Sequence, residues 1–354
     1  MFWLKKNYFF FYIGKSTFVK KDIEIFTSNF DVKCYDFKFE RKWKTPFQML
    51  HQLFFILIEI RRTKIIVCQL SGYHAFFPAL IGKLANVPSI IIAAGTDCHS
   101  FPEIHYGNFQ KKILSFFTKC SFVLCTHISP KHQTLWESDY TYDNVLYKKQ
   151  GIKSFIPNLK DKFTVITNGF ESAATPTDPK KIKKTFVTAA GLLQFEYQRK
   201  LKGIDLILDV APKLPDYTFH IVGAGKHTGI KSPSKNVVLH PPLSLSELTH
   251  LMSISEYYLQ LSMAEGFPNS LCEAMICECI PIGANVFSIP EIIGNTGFIL
   301  SRRDSVLLYN MLRSLPAEIN IDSGRKARNR ILNLYSLEKR KNSLLNLLNK
   351  LKKK

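Results

Sequence analysis

Short, continuous apolar runs alternate with longer helical stretches along this 354-residue chain, and the alternation stops once and then restarts. In the first half, residues 8–13, 64–70, 89–94, 122–126 and 164–166 read as strands. Residues 47–61 and 75–86 read as helices, the second stopped by Asn86-Val87-Pro88. In the second half, 185–190, 217–222 and 257–261 read as strands, and 203–214, 245–253 and 269–277 as helices. Apolar strands separated by helices call for a parallel sheet covered on both faces. The break falls at 171–184, ESAATPTDPKKIKK, where small residues, prolines and lysines mark a linker. The pattern predicts an α/β chain of two Rossmann-like, doubly wound domains facing a central cleft. Their bounds are 1–168 and 185–335, joined by a linker at 169–184. Residues 336–354 are expected to form an amphipathic basic helix, its leucines packing back on the first domain and its lysines touching lipid. Ligands of such sheets lie at the carboxyl ends of the strands.

The formal net charge is +20. It calls for a negatively charged partner: nucleic acid, anionic lipid or a phosphorylated substrate. No RRM, KH or zinc-finger signature accompanies it, so nucleic acid is not an expected partner. The lysine runs at 180–184 and 350–354 read equally well as solvated segments. Eight cysteines lie at 34, 68, 98, 120, 125, 272, 277 and 279 without a CxxC pair. They read as buried free thiols of a reducing compartment, not as a zinc site. The N-terminal MFWLKKNYFFFYIG and the run at 47–60 are too short to span a bilayer, and the first has no cleavage site. A cytoplasmic protein, peripheral at the inner face of a membrane, is the expectation.

The segment 257–281, YYLQLSMAEGFPNSLCEAMICECIP, carries the sharpest chemistry. A strand runs into a loop holding Glu265, Gly266 and Phe267. Pro268, Asn269 and Ser270 then open a helix. The first-turn N–H groups of Ser270 and Leu271 have no intrahelical partners and form an anion site. Gly266 lets a ligand approach the backbone. Two carboxylates flank the site, Glu265 and Glu273. Each accepts hydrogen bonds from two neighbouring hydroxyls, which suits a sugar diol and a ribose diol. A carboxylate near the positive end of a helix is the other reading of Glu273.

Glu265 and Glu273, with seven residues between them and GFPNSLCEAM around them, resemble the signature of retaining GT-B glycosyltransferases of family 4. ECIPIGANVFSIPEII, the stretch from AAGLLQF to HIVGAG, and VITNGF are similar to other parts of the same family. The resemblance covers roughly 164–300, and residues 1–160 match more loosely. It implies that Glu265 binds the transferred sugar and Glu273 the donor ribose. The loop and helix start at Phe267, Asn269, Ser270 and Leu271 would hold the sugar or diphosphate, and Lys202 would neutralise the diphosphate leaving group. The family carries Arg after the glycine matching Gly191, whereas this chain has Leu192. One diphosphate cation is therefore missing, or it comes from Arg199 or Lys200 on a long loop at 194–201. Two unit charges 4 Å apart at an effective dielectric of 20 interact by about 4 kcal/mol, so one cation matters. The resemblance further implies no metal, no cofactor and no protein general base, the leaving phosphate oxygen taking the acceptor proton.

In the first domain, Gly14-Lys15-Ser16 ends like a P-loop, but residue 9 is Phe where that motif needs Gly. Gly14 is instead expected near the acceptor, at the end of the first strand, with Lys15 and Ser16 touching acceptor or phosphate. His74 and Asp97 follow later strands, with His99 and Tyr106 behind them. Asp97 is expected at the catalytic centre, and His74 and Tyr106 at the acceptor. A helix cap for Asp97 and structural roles for the histidines are the competing readings. The expected activity moves a hexose from a nucleotide-diphosphate donor to a saccharide or lipid-linked acceptor, in surface polysaccharide or glycolipid synthesis. The rival is a non-catalytic GT-B module that binds nucleotide or scaffolds an assembly. Leu192 favours the rival and the intact carboxylate pair opposes it.

Overall fold

The computed structural model describes residues 7–39, 41–172, 180–191, 193–225, 228–316 and 322–352. The first five strands are β1 (Asn7–Tyr12), β2 (Val32–Asp36), β3 (Thr63–Gln69), β4 (Ser89–Ala93) and β5 (His127–Pro130). They form one parallel sheet in the order β2-β1-β3-β4-β5. The helices between them are α1 (Thr17–Thr27), α2 (Thr45–Glu59), α3 (Tyr73–Leu84) and α4 (Lys112–Leu124). The run NYFFFY in β1 is buried throughout because successive side chains enter different cores. Phe9 and Phe11 pack with α2, α3 and α4. Tyr8, Phe10 and Tyr12 pack with α1 and with the last helix of the chain.

A two-stranded ladder, β6 (Ser138–Asp139) with β7 (Lys149–Gln150), and α5 (Ile152–Phe155) lead out of the first domain. The second sheet holds β8 (Ile182–Ala189), β9 (Thr218–Val222), β10 (Val237–His240), β11 (Ser255–Gln260), β12 (Ile280–Ala284) and β13 (Phe298–Leu300). All pairs are parallel and the order is β10-β9-β8-β11-β12-β13. Its helices are α6 (Glu196–Lys202), α7 (Ile204–Val210), α8 (Leu245–Ile254), α9 (Asn269–Ile276), α10 (Ile289–Ile293), α11 (Ser305–Arg313) and α12 (Asp322–Leu334). The last helix, α13 (Leu337–Lys352), crosses back to the first domain.

That crossing is anchored by charge and by leucines. Arg340 pairs through two nitrogens with both carboxylate oxygens of Asp22, each at 2.7 Å, and also donates to the carbonyls of Ile166 and Thr167. Leu344, Leu347, Leu348 and Leu351 are buried beside Tyr8 and Phe10. Lys352 lies over the rings of Tyr8 and Phe30, at 5.2 and 4.7 Å, so it closes this core. Lys353 and Lys354 lie outside the described residues.

The domains also meet across the cleft. The Gly95 and Gly266 backbones touch, and a methyl group on Gly266 would lie 1.7 Å from the Ala94 carbonyl oxygen. His99 stacks on Phe287 with centroids 4.1 Å apart. His132 Nε2 is 3.0 Å from Glu291.

Three sequence expectations fail locally. Residues 122–124 end α4, and the strand follows at His127–Pro130; a short apolar run does not distinguish a helix end from a strand by periodicity. Residues 164–166 run beside β5, with Thr164 and Ile166 donating to the carbonyls of Ile128 and Pro130 at 3.0 and 3.1 Å, but they form no strand; the one bridge there is Ile128 with Phe163. The stretch 194–201 is mostly α6, not a long loop, and Lys202 ends that helix just before left-handed Gly203. The cysteines are all free; Cys34 is exposed, Cys120 half-buried and the other six buried. Among the described residues no helix is long and apolar enough to cross a membrane.

Candidate active site

A cavity of about 630 Å³ lies between the two sheets, at the carboxyl ends of their strands. On the second-domain wall, β11 delivers Gln260, the following loop delivers Ser262, Glu265 and Gly266, and α9 begins at Asn269. Glu265 is the hub. Its Oε1 accepts from Lys202 Nζ at 2.5 Å, Ser262 Oγ at 2.9 Å and Gln260 Nε2 at 3.2 Å. Three donors on one oxygen fix the carboxylate, and among the described residues none donates to Oε2. Lys202 reaches it from the end of α6, where the Gly203 backbone presses against Leu261 and holds the helix close to β11.

The start of α9 is prepared in the same way. Pro268 is its N-cap and supplies no side-chain cap. Asn269 Oδ1 accepts from Asn168 Nδ2 at 2.6 Å, and Ser270 Oγ donates to Gln260 at 3.3 Å. Asn168 belongs to the segment between the domains, so the crossover itself braces the helix start. Phe267 and Ser270 line the cavity, while the Leu271 side chain is in the core and only its backbone belongs to the helix start. Glu273 lines the cavity one turn further on. Burial raises its pKa, and nearby Lys21 opposes that shift. Gly191 and Gly223 complete this wall; Gly223 (φ +95°) abuts the Ala190 carbonyl, where a side chain would clash.

Some expected residues lie elsewhere. Arg199 does not line the cavity. Its guanidinium donates to the carbonyls of Leu193 (3.3 Å) and Thr228 (2.6 Å), inside the second domain. Lys200 pairs with Glu196 one turn earlier on α6, at 3.0 Å. Neither lines the cavity, and Leu192 lies outside the described residues. Asp97 is fully buried and accepts from the backbone N–H groups of Ser71, Ala94 and Gly95 at 2.9–3.1 Å. It organises the loop after β4 and does not line the cleft cavity. Burial raises its pKa against those hydrogen bonds.

The acceptor-side expectations divide. Tyr106 lines the cleft cavity, with its hydroxyl 3.2 Å from Thr96 Oγ1; burial raises its pKa, and nearby Glu265 adds to this. His74 lines a smaller adjoining pocket of about 190 Å³ with Ile13, Phe37, Phe39 and Leu114. Its Nε2 is bound to the Gln69 carbonyl at 2.6 Å, and burial lowers its pKa to about 4. Leu70 and Thr96 belong to both spaces, which connects them. Gly14 lines neither space; its N–H donates to Asp36 Oδ1 at 3.0 Å. His99 is wholly buried, its pKa lowered to about 3 by burial.

Among the first-domain wall residues that sequence reasoning did not single out, one is charged. Lys131, the first residue after β5, lines the cleft cavity and is 2% exposed. Burial lowers its pKa to about 7; Arg340 adds to the shift, while Asp22 and Asp97 oppose it.

Comparison with known proteins bears on this arrangement. Residues 185–316 match the family described as Glycosyl transferases group 1. No curated protein matches the chain in sequence. Solved structures match over nearly its whole length. Anabaena HepE in complex with UDP and glucose aligns with a TM-score of 0.70 and 13% identity, over 98% of this chain and 100% of that one. Sucrose-phosphate synthase from Thermosynechococcus elongatus gives 0.74 and 10%, over 98% and 99%. A glycosyltransferase from Rickettsia africae gives 0.70 and 14%, over 98% of each. The fold is GT-B. Together these matches support a glycosyltransferase of that fold. In GT-B terms, the wall built on β11 and α9 falls within the matched segment, whereas Lys131 and Tyr106 belong to the first domain.

Proposed function

We propose that the chain transfers a hexosyl group, with retention of configuration, from a nucleotide-diphosphate sugar to a saccharide or lipid-linked acceptor. The observation that carries this reading is Glu265: three donors hold one oxygen, and it stands beside Lys202 and the start of α9 in the interdomain cavity. The resemblance to family 4 and the UDP and UDP-glucose complexes of HepE lend further support. In this reading Glu265 orients the sugar and Glu273 the ribose. The α9 N-terminus and Lys202 face the diphosphate. The bond from the anomeric carbon to the diphosphate oxygen breaks, and the acceptor oxygen bonds to the same carbon on the same face. The acceptor proton passes to the departing phosphate oxygen. Positive charge at the leaving group stabilises the transition state as negative charge develops there. Lysine and helix N–H groups supply that charge here, so the reaction is proposed to need no metal.

The acceptor approaches from the first domain, past Tyr106 and the pocket beside His74. A membrane surface is the proposed setting. On α2 and just before it, Trp43, Phe47, Phe54 and Ile58 are each more than half exposed; on α4 so are Ile113 and Phe116. These helices cover one sheet face, and Arg61, Arg62, Lys111, Lys112 and Lys119 are exposed near their ends and sides. An apolar face rimmed by cations suits the interface of an anionic bilayer. It lies across the sheet from α13, so this contact is assigned to α2 and α4 and not to the terminal lysines. The product is proposed to be a surface polysaccharide or glycolipid made on the cytoplasmic side.

The test is diphosphate release from a panel of nucleotide sugars, with and without chelator. Chelator-insensitive release that is lost in Glu265→Ala is expected. Absence of binding to every nucleotide sugar would overturn the reading and favour a scaffold.

A further inference from the structure

The anion chemistry described so far lies on one wall of the cleft. The opposite wall is where α1 begins. Its N-cap, Ser16, makes no side-chain cap hydrogen bond, and no acidic residue occupies its first turn. The first-turn N–H groups of this 11-residue helix have no intrahelical partners and point their dipole toward the cavity that Ser16 and Thr17 line.

Lys131 stands beside that helix start. Its backbone N–H is fixed to the Ala93 carbonyl at 3.0 Å, and its ammonium lies 3.4 Å from the centroid of the Phe18 ring. Among the described residues no carboxylate lies within ion-pair distance of it, and no hydrogen-bond acceptor meets it. The nearby acids are committed: Asp22 to Arg340 and Gln69, Asp97 to three backbone N–H groups. A buried cation without a paired counter-charge is costly, and the Phe18 ring and the unpaired attraction of Asp22 and Asp97 do not fully offset the cost. An anionic ligand in the cleft would.

We propose that Lys131, with Ser16 and Thr17 at the N-terminus of α1, forms a phosphate-binding subsite on the first-domain wall of the cleft. It supplies the second cation that Leu192 does not provide and that Arg199 spends on carbonyls. The subsite holds a phosphoryl oxyanion, either of the donor diphosphate or of a phosphate carried by the acceptor. Only the choice between those two sources rests on the transferase reading.

The experiment is calorimetric titration of the parent, Lys131→Met and Lys131→Arg, below the pH at which Lys131 loses its proton. The probes are inorganic pyrophosphate, UDP-glucose, and inorganic phosphate added to UDP-glucose-saturated protein. Pyrophosphate affinity is expected to fall at least ~tenfold in Lys131→Met and to be largely kept in Lys131→Arg. A parallel loss for UDP-glucose identifies the donor's phosphate. Unchanged UDP-glucose binding with loss of the added phosphate identifies the acceptor's. Equal pyrophosphate binding by parent and Lys131→Met, or none by the parent, overturns the subsite. Pyrophosphate binding that needs Lys131, in a protein that releases diphosphate from no nucleotide sugar, keeps the subsite and removes the transferase reading. Lys131→Met removes an uncompensated buried charge, so its unfolding transition should match or exceed the parent's, which separates a binding loss from misfolding.

Discussion

Lys202 is paired with Glu265 at 2.5 Å. A diphosphate arriving at Lys202 must therefore compete with, or share, that carboxylate. Glu265→Gln separates two effects that Glu265→Ala would merge. The amide keeps the shape and can still accept from Ser262 and Gln260, but it gives up the charge that holds Lys202. At 2.5 Å and an effective dielectric of 20 the gross Coulomb attraction is about 7 kcal/mol. Both side chains retain some water contact, 28% for Lys202 and 15% for Glu265. Desolvation and screening leave a net of ~1–2 kcal/mol. Freeing Lys202 should thus tighten binding of UDP by about 5- to 30-fold. Turnover should move the other way. If Glu265 accepts a charge-assisted hydrogen bond from the sugar, its loss costs ~1.5–3 kcal/mol, or roughly 10- to 150-fold in rate. The assay pairs calorimetric titration with UDP and diphosphate release at saturating nucleotide sugar. UDP binding that is unchanged or weaker in Glu265→Gln would refute the competition for Lys202. Turnover equal to the parent's would refute contact between Glu265 and the sugar.

Gly266→Ala places a methyl group 1.7 Å from the Ala94 carbonyl oxygen, so the two domain walls must part. A loss of turnover of about 100-fold, with little change in the unfolding midpoint, is expected from the misalignment and is read by steady-state kinetics. Arg340→Ala leaves Asp22 buried and unpaired and should cost ~3–5 kcal/mol in urea denaturation, whereas the double change Asp22→Leu with Arg340→Met should recover most of it. Phe47→Glu with Phe54→Glu should abolish co-sedimentation with anionic vesicles and leave nucleotide binding intact; unchanged sedimentation removes the α2 face from the membrane reading. For donor binding by the parent, affinity for UDP-glucose should fall as pH rises through about 7, because Lys131 has its pKa lowered by burial and is neutral above it. Lys131→Met should be flat over the same range. UDP-glucose suits this test because its diphosphate is esterified at both ends and keeps its charge throughout. A parent profile as flat as the variant's would remove Lys131 from the donor diphosphate.

What could be read in the sequence, and what could not, follows from how each feature is encoded. The Glu265 loop and α9 were legible because their parts are contiguous: a strand, a glycine, a proline near the helix start and two carboxylates with seven residues between them. The two-sheet architecture was legible because buried strands read as apolar runs, as NYFFFY does in β1. Arg199 looked available because 194–201 read as a loop; as α6 it turns the guanidinium to Leu193 and Thr228. Asp97 looked catalytic because it follows a strand. The same position lets it collect the N–H groups of the loop, an arrangement made only when residues 71 and 94–95 come together in space. Lys131 was missed through one displaced strand. With the strand at 122–126, Lys131 lies in an undefined loop. With β5 at His127–Pro130, it is the first residue beyond a strand's carboxyl end, where an open α/β sheet meets its ligand. Its lack of a partner could not be read from the chain at all, since that depends on Asp22 being claimed by Arg340 from 318 residues away. The last helix thus bears on the cleft: by neutralising Asp22 it leaves Lys131 as a buried cation for the substrate to satisfy.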